Sequence, residues 1–249
     1  MSGHNKWANI KQRKGAQDAK RSNLFSKIVK EIIIAARKGG NPDTNATLRT
    51  AIDKARNANM PKDNIEKAIK RGTGELDGVT IEELTYEGYG PGGVAVIVDV
   101  ATDNKNRTVA EIRKIFSRLG GNLGEAGCVA WMFDKKGFIG LDGKKHTEDQ
   151  VMEVALELGA DDVKSEGDTI EVYTAVESFI SVMDGLKAKG MEVTSSELTQ
   201  VPQNTVSMEK EKAMTLLRLM EELEEHDDVQ NVYSNADIDD SVMEEYANS

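Results

Sequence analysis

With 249 residues, of which 39% are apolar and 30% charged, the chain can build two or three domains whose small cores leave much surface exposed. Its apolar runs stop far short of membrane-spanning length, and its single cysteine, Cys128, excludes an internal disulfide and a thiolate-only metal site. The net charge of -11 is unevenly laid out: residues 1–80 hold 17 Lys and Arg against 8 Asp and Glu (+9), and the remainder 15 against 35 (-20), an asymmetry that assigns the opening segment an electrostatic task.

Met1-Ser-Gly-His opens directly into charged residues, without the apolar core and small-residue cleavage site of a secretory signal, so the expected compartment is the cytoplasm. Residues 1–21 show no helical or strand period. Lys6, Lys11, Arg13, Lys14, Lys20 and Arg21 surround Trp7 there, which reads as an irregular arm that orders on a partner, with an indole suited to stacking on a base. From Ser22, read as an N-cap, Leu24, Phe25, Ile28, Val29, Ile32 and Ala36 recur at helical spacing up to Gly39-Gly40, with Lys27 and Lys30 off the stripe.

Leu48, Ala51, Ile52 and Ala55 mark a second helix. Asp63 and Glu66 are placed as a capping box for a third, which buries Ile65, Ala68 and Ile69, turns Lys62, Lys67, Lys70 and Arg71 outward, and stops at Gly72. This makes residues 1–78 a small basic helical domain.

The pattern then changes to strands. Leu84–Tyr89 and Val94–Val100 flank Gly90-Pro-Gly-Gly93 as a hairpin, a helix capped by Thr108 and Glu111 follows, and Val129–Phe133 reads as another strand. From Gly137 to Leu198 a cycle of strand, helix, strand, strand, helix, strand has the order of the ferredoxin-like fold. A last strand, helix, strand from Thr205 to Ser234 cannot bury its own face, and the 84–133 segment lacks such a unit to complete its sheet. The expected architecture is therefore α+β: the helical domain, then two ferredoxin-like domains, with residues 135–199 inserted into a discontinuous domain of 79–134 and 200–249.

Candidate chemistry is sparse. The pairs Asp161-Asp162 and Asp227-Asp228 read as solvated acidic surface, because neighbours on a strand point to opposite faces. His4, His146 and His226 have no metal spacing, and no nucleophile with a partnered base is visible, so no catalytic residue, metal or cofactor is assigned and the chain is not expected to be an enzyme. In Thr102-Asp-Asn-Lys-Asn-Arg-Thr108, the side chains of Asn104, Lys105, Arg107 and Thr108 gather where a helix N-terminus favours an anion.

Gly3-His-Asn-Lys-Trp-Ala-Asn-Ile-Lys11, Asn59-Met-Pro-Lys-Asp-Asn-Ile65, Tyr86-Glu-Gly-Tyr-Gly-Pro-Gly-Gly93, Thr102–Thr108, Gly120-Gly-Asn-Leu123 and Val129-Ala-Trp-Met-Phe133, in this order, resemble the YebC family over essentially the whole chain. Asn5 stands where the family usually has a serine or similar small residue. The resemblance implies a cytoplasmic three-domain protein that acts in gene expression, its bacterial members described as DNA-binding transcriptional regulators and its mitochondrial relatives as translational activators. Together with the residues, it leads to a non-enzymatic nucleic-acid-binding regulator of DNA or RNA, the latter including RNA within the ribosome. The contacts fall to Lys6, Trp7, Lys11, Arg13, Lys14, Lys20 and Arg21, then to Lys27, Lys30, Lys62, Lys67, Lys70 and Arg71. The alternative is an interaction module whose acidic domains dock a basic protein. No membrane partner is expected.

Overall fold

The computed structural model describes residues 17–248, with side chains from Ser22 onward except that of Glu166. The chain divides into two compact units, Met1–Met132 with Asn204–Ser249, and Phe133–Gln203, and each is described by itself.

The first unit opens with three helices, α1 (Gln17–Ala36), α2 (Ala46–Asn57) and α3 (Lys62–Thr73). Ile28, Ile32, Leu48, Ile52 and Ile65 form their shared core, which also takes in Ile81 and Ala101 from beyond the helices. α1 already includes Gln17, five residues ahead of the expected cap at Ser22, because Gln, Ala, Lys and Arg sustain a helix without an apolar stripe. Asn45 caps α2: its side chain accepts from Leu48 N and donates to the carbonyls of Ala35 and Gly39, fixing the turn between α1 and α2. α3 starts at Lys62 behind Pro61, with no side-chain cap from Asp63, since proline fixes the entry. It also runs through Gly72 and stops at Gly74, which takes the left-handed conformation (φ 81°).

A mixed layer follows. β1 (Glu82–Tyr89) pairs antiparallel with β2 (Ala95–Thr102) across the glycine turn, as the Gly90-Pro-Gly-Gly93 segment predicts. α4 (Lys105–Arg118) leads to the two-residue β3 (Asn122–Leu123). Beyond the second unit come β8 (Val206–Ser207), α7 (Lys210–Glu225), β9 (Val229–Ser234), β10 (Ala236–Asp237) and α8 (Asp240–Ala247). The sheet order is β3-β1-β2-β9, so its fourth strand arrives from the far side of the insertion. The expected strand at Thr205–Met208 shrinks to β8, which pairs parallel with β10 outside this sheet.

Val96, Val98 and Val100 of β2 pack on Ile112 and Phe116 of α4 and on Leu216, Met220 and Leu223 of α7. Ala101 on the same strand turns to the helical core instead. Burial on both faces explains why β2 reads as a continuous apolar run rather than an alternation. Of the expected strand Val129–Phe133 only Phe133 is in a strand: Glu87 takes the amides of Val129 and Ala130, and Ala130–Met132 is a 3-10 turn.

The second unit contains β4 (Phe133–Asp142), α5 (Glu148–Glu157), β5 (Asp162–Glu166), β6 (Thr169–Thr174), α6 (Phe179–Ala188) and β7 (Val193–Pro202). The antiparallel order β5-β6-β4-β7 is ferredoxin-like. Ile139, Leu141, Val163, Ile170 and Val172 face Val151, Ala155, Val182 and Leu186 of the two helices.

α1 and α3 cross at Gly72, where an added Cβ would strike the Ile33 carbonyl and lie 2.6 Å from Ala36 Cβ. Gly72→Ala is therefore expected to destabilise the protein by about 1–3 kcal/mol in urea denaturation, despite the better helix propensity of alanine. Gly40→Ala would meet only side-chain methyls of Thr73 and Ile69, and is expected to cost less.

Candidate nucleic-acid interface

The expected contacts Lys6, Trp7, Lys11, Arg13 and Lys14, and the side chains of Lys20 and Arg21, lie outside the described residues. The remaining cations of the helical segment divide into two groups.

Lys27 and Lys30 of α1 are engaged inside the molecule. Helix α7 ends without a basic residue in its last turn, and its C-terminal carbonyls meet α1 instead: Lys27 Nζ donates to Glu224 O, and Asn23 Nδ2 donates to Glu225 O at 2.6 Å. A cation here also opposes the negative end of the helix dipole. Lys30 Nζ reaches Asp228 Oδ1 at 2.6 Å and Asp227 O at 2.9 Å. These two lysines fall off the apolar stripe, as expected, but their polar face meets protein rather than solvent.

Asp228, expected on a solvated acidic surface, is only 4% exposed. Its Oδ2 accepts from Thr108 Oγ1 at 2.7 Å, Thr102 Oγ1 at 3.1 Å and Arg107 Nη2 at 3.1 Å. Burial would raise this carboxyl, but the hydrogen bonds from Lys30, Thr108 and Arg107, with the Lys30 charge, prevail and hold it far below the usual carboxylate range.

The anion expected at Asn104, Lys105, Arg107 and Thr108 is thus supplied by the chain itself. Asn104, not Thr108, caps α4 by accepting from Arg107 N at 3.1 Å, and Thr102 Oγ1 accepts from Asn104 N at 2.9 Å. Lys105 is exposed and takes no part in the Asp228 cluster.

Beside this cluster lies a groove of about 840 Å³, whose cationic lining includes Lys114 and Arg118 of α4. Arg118 pairs with Glu222, Arg107 with Asp103 and Asp228, and Lys30 with Asp228, so much of the groove's charge is already balanced. It is a poor cradle for a strongly anionic ligand. Among the described residues, no three His, Cys, Asp or Glu side chains converge as metal ligands. Cys128 is half-buried, and burial with the nearby Glu87 charge pushes its thiol up, away from the reactive thiolate.

The second group of cations faces outward. Lys54, Arg56 and Lys62 pair with Glu31, Asp53 and Glu66. Lys67, Lys70 and Arg71 are exposed on α3 and form no ion pair among the described residues. Their spacing of three and four places them on one helix face, opposite buried Ile65 and Ala68. Asp63 and Glu66 precede them on the outward side of the helix.

The structure therefore defines an α+β protein in which an N-terminal helical layer bears an outward basic face and two antiparallel sheets follow. The chain belongs to the TACO1/YebC family: the model for the N-terminal domain of that family matches residues 5–75, and that for its second and third domain matches residues 81–236. It is 61% identical over 246 residues to a protein of Dictyoglomus turgidum, covering 98% of this chain and 99% of that one. It is 59% identical to a protein of Trichlorobacter lovleyi, with coverage of 98% and 99%. Both relatives are named "Probable transcriptional regulatory protein". The crystal structure of a conserved hypothetical protein from Aquifex aeolicus superposes with a TM-score of 0.83 at 46% identity, over 90% of this chain and 93% of that one. No helix among the described residues is long and apolar enough to cross a membrane.

Asp228→Asn is expected to cost about 1–3 kcal/mol, because it leaves the largely buried Lys30 ammonium facing an amide, whereas Arg107 stays exposed and keeps its pair with Asp103. A carboxyl depressed in the folded state stabilises fully above its unfolded pKa and loses that contribution as pH falls. The stability gap between wild type and Asp228→Asn, read from urea midpoints, should be constant between about pH 5 and 7 and narrow below about pH 4.

Proposed function

We propose that this protein is a cytoplasmic, non-enzymatic regulator of gene expression that binds nucleic acid through its basic N-terminal region. The observation that carries this reading is the row Lys67, Lys70 and Arg71, exposed on one face of α3 and without acidic partners among the described residues. It lies in the segment whose net charge is +9 in a chain of net -11. The arm cations Lys6, Lys11, Arg13, Lys14, Lys20 and Arg21, with Trp7, extend the same interface, and Lys62 stands at its edge. Lys27 and Lys30 are omitted, since their ammonium groups are bonded inside the protein. Residues 1–78, 79–134 with 200–249, and 135–199 serve as three domains, the first for binding and the other two as its acidic support.

The names of the relatives point to transcription, and the chemistry of α3 qualifies how. A helix that reads the major groove presents base-reading side chains near its N-terminus. Here Asp63 and Glu66 stand there with Asn64, and the cations follow in the last turns. Carboxylates at that position oppose entry into a groove lined by phosphates, whereas Lys and Arg beyond them suit backbone contacts that carry no base information. This favours weak sequence preference on duplex DNA, and action on RNA or the ribosome over operator recognition. Sequencing the nucleic acid crosslinked to the protein in cells tests it: enrichment of messenger or ribosomal RNA is expected, and one recurrent DNA operator without RNA would overturn the preference.

The -20 carried by residues 81–249 favours a second reading, in which the acidic domains dock a basic protein. Partners that persist unchanged in pull-downs after nuclease treatment would support it over nucleic-acid binding.

If about six phosphates are neutralised, log affinity should fall against log salt with a slope of roughly -4 to -5. Charge reversal of Lys67, Lys70 and Arg71 together is expected to flatten that slope by about 2–3 in titrations across salt concentrations. An unchanged slope would remove α3 from the interface.

A further inference from the structure

Three of the sequence blocks that carry the family resemblance have no part in the basic face, yet they meet at one end of the first unit's sheet. β1 pairs with β3 through Gly88 with Leu123 and Tyr89 with Asn122, and the loop that follows β3 folds back over Glu87. The Glu87 carboxylate, 6% exposed, accepts from the amides of Gly127 at 2.7 Å, Val129 at 2.8 Å and Ala130 at 2.7 Å. Its own carbonyl accepts from Gly124 N at 2.8 Å. Burial raises the Glu87 carboxyl, but these amide bonds outweigh it and hold the group ionised. The loop is thus held by one side chain at three points, and Val129 within it is fully buried.

From this anchored loop Trp131 projects with 67% of its surface exposed, the most open of the large aromatic side chains among the described residues. A tryptophan N–H or tyrosine O–H that is to be covered needs a hydrogen-bond partner. Here Nε1 donates to the Cys128 carbonyl at 3.2 Å, and the Tyr89 hydroxyl donates to the same oxygen at 3.1 Å. Both polar handles are satisfied within the protein, so ring surface is what the pair offers outward.

We infer that Trp131, with Tyr89 beside it, is a stacking platform for an unpaired base of single-stranded nucleic acid. The inference rests on the nucleic-acid reading above and adds a second contact, separate from the basic face. A flat π-system is the partner that a rigid indole with no donor to offer suits best, and stacking of this kind tolerates any base. The segment Gly124–Met132 contains no Lys or Arg, and Glu125 is its one exposed carboxylate. The platform therefore contributes stacking without neutralising phosphate, and its effect on affinity is independent of salt.

The test uses the full chain carrying Trp7→Phe, which leaves Trp131 as its only tryptophan, with an unstructured oligoadenylate as RNA and as DNA. Binding is expected to quench Trp131 fluorescence. Trp131→Ala should weaken binding about 5- to 150-fold with an unchanged salt slope, while Trp131→Phe keeps most of the affinity. Charge reversal at Lys67, Lys70 and Arg71 should do the opposite, flattening the slope while the residual complex remains quenched. Comparing the RNA and DNA arms shows which sugar the site accepts. Full affinity in Trp131→Ala, or binding without quenching, overturns the platform and leaves the basic face standing. Absence of binding by the unsubstituted chain to either oligonucleotide overturns both readings.

Discussion

One buried carboxylate joins four separate stretches of the first unit. Asp228, just before β9, takes Lys30 from the first helix, Thr102 from the end of β2, and Arg107 and Thr108 from the first turn of α4. A carboxylate so far from water is tolerated because every donor aimed at it is charged, a hydroxyl, or both close and fixed. The consequence is mechanical as well as electrostatic. The helical layer cannot shift over the sheet without breaking the Lys30 contact, and β9 cannot leave its place beside β2 without withdrawing the anion from the α4 N-terminus.

This arrangement explains how a strongly basic segment coexists with acidic domains in one chain. Part of the positive charge of the helices is spent on the C-terminal carbonyls of α7 and on Asp228, where it is neutralised locally. What remains outward is a shorter row on α3. The α3 part of the interface proposed for nucleic acid, Lys67, Lys70 and Arg71, is thereby distinct from the lysines of α1 that bond inside the molecule. The two roles require opposite conditions, since an internal ion pair gains from a dry site and a phosphate contact needs an exposed one.

Glu87 repeats the same device on a loop. Its carboxylate collects backbone amides that have no strand or helix to bond, as Asp228 collects side chains, and in both cases the charge stays ionised because the donors outweigh burial. The result at Glu87 is a fixed support for Trp131, which lies two residues before β4. The expected strand at Val129–Phe133 failed before Phe133 for this reason: an apolar and aromatic run carries the composition of a strand, but its amides were claimed by a carboxylate about 40 positions earlier.

Much of the fold was legible in the chain because it rests on local periods. The strand, helix, strand, strand, helix, strand cycle from Gly137 to Leu198 followed from local patterning, as did the hairpin from its glycine turn at Gly90–Gly93 and the three N-terminal helices from apolar spacing with glycine stops. The division of charge between residues 1–80 and the rest was equally a property of the sequence. The amphipathic period reports which face of a helix is apolar, but not what the polar face will meet. Lys30 and Lys70 look alike along the chain, and only the tertiary structure sends one into a buried pair and leaves the other outside. Asp228 looked like half of a surface acidic pair because its partners lie 120 to 198 positions away. Hydrogen bonds and ion pairs leave no periodic trace, so the choice between a charge that builds the molecule and one that recognises a partner was made only when distant segments were brought within 3 Å.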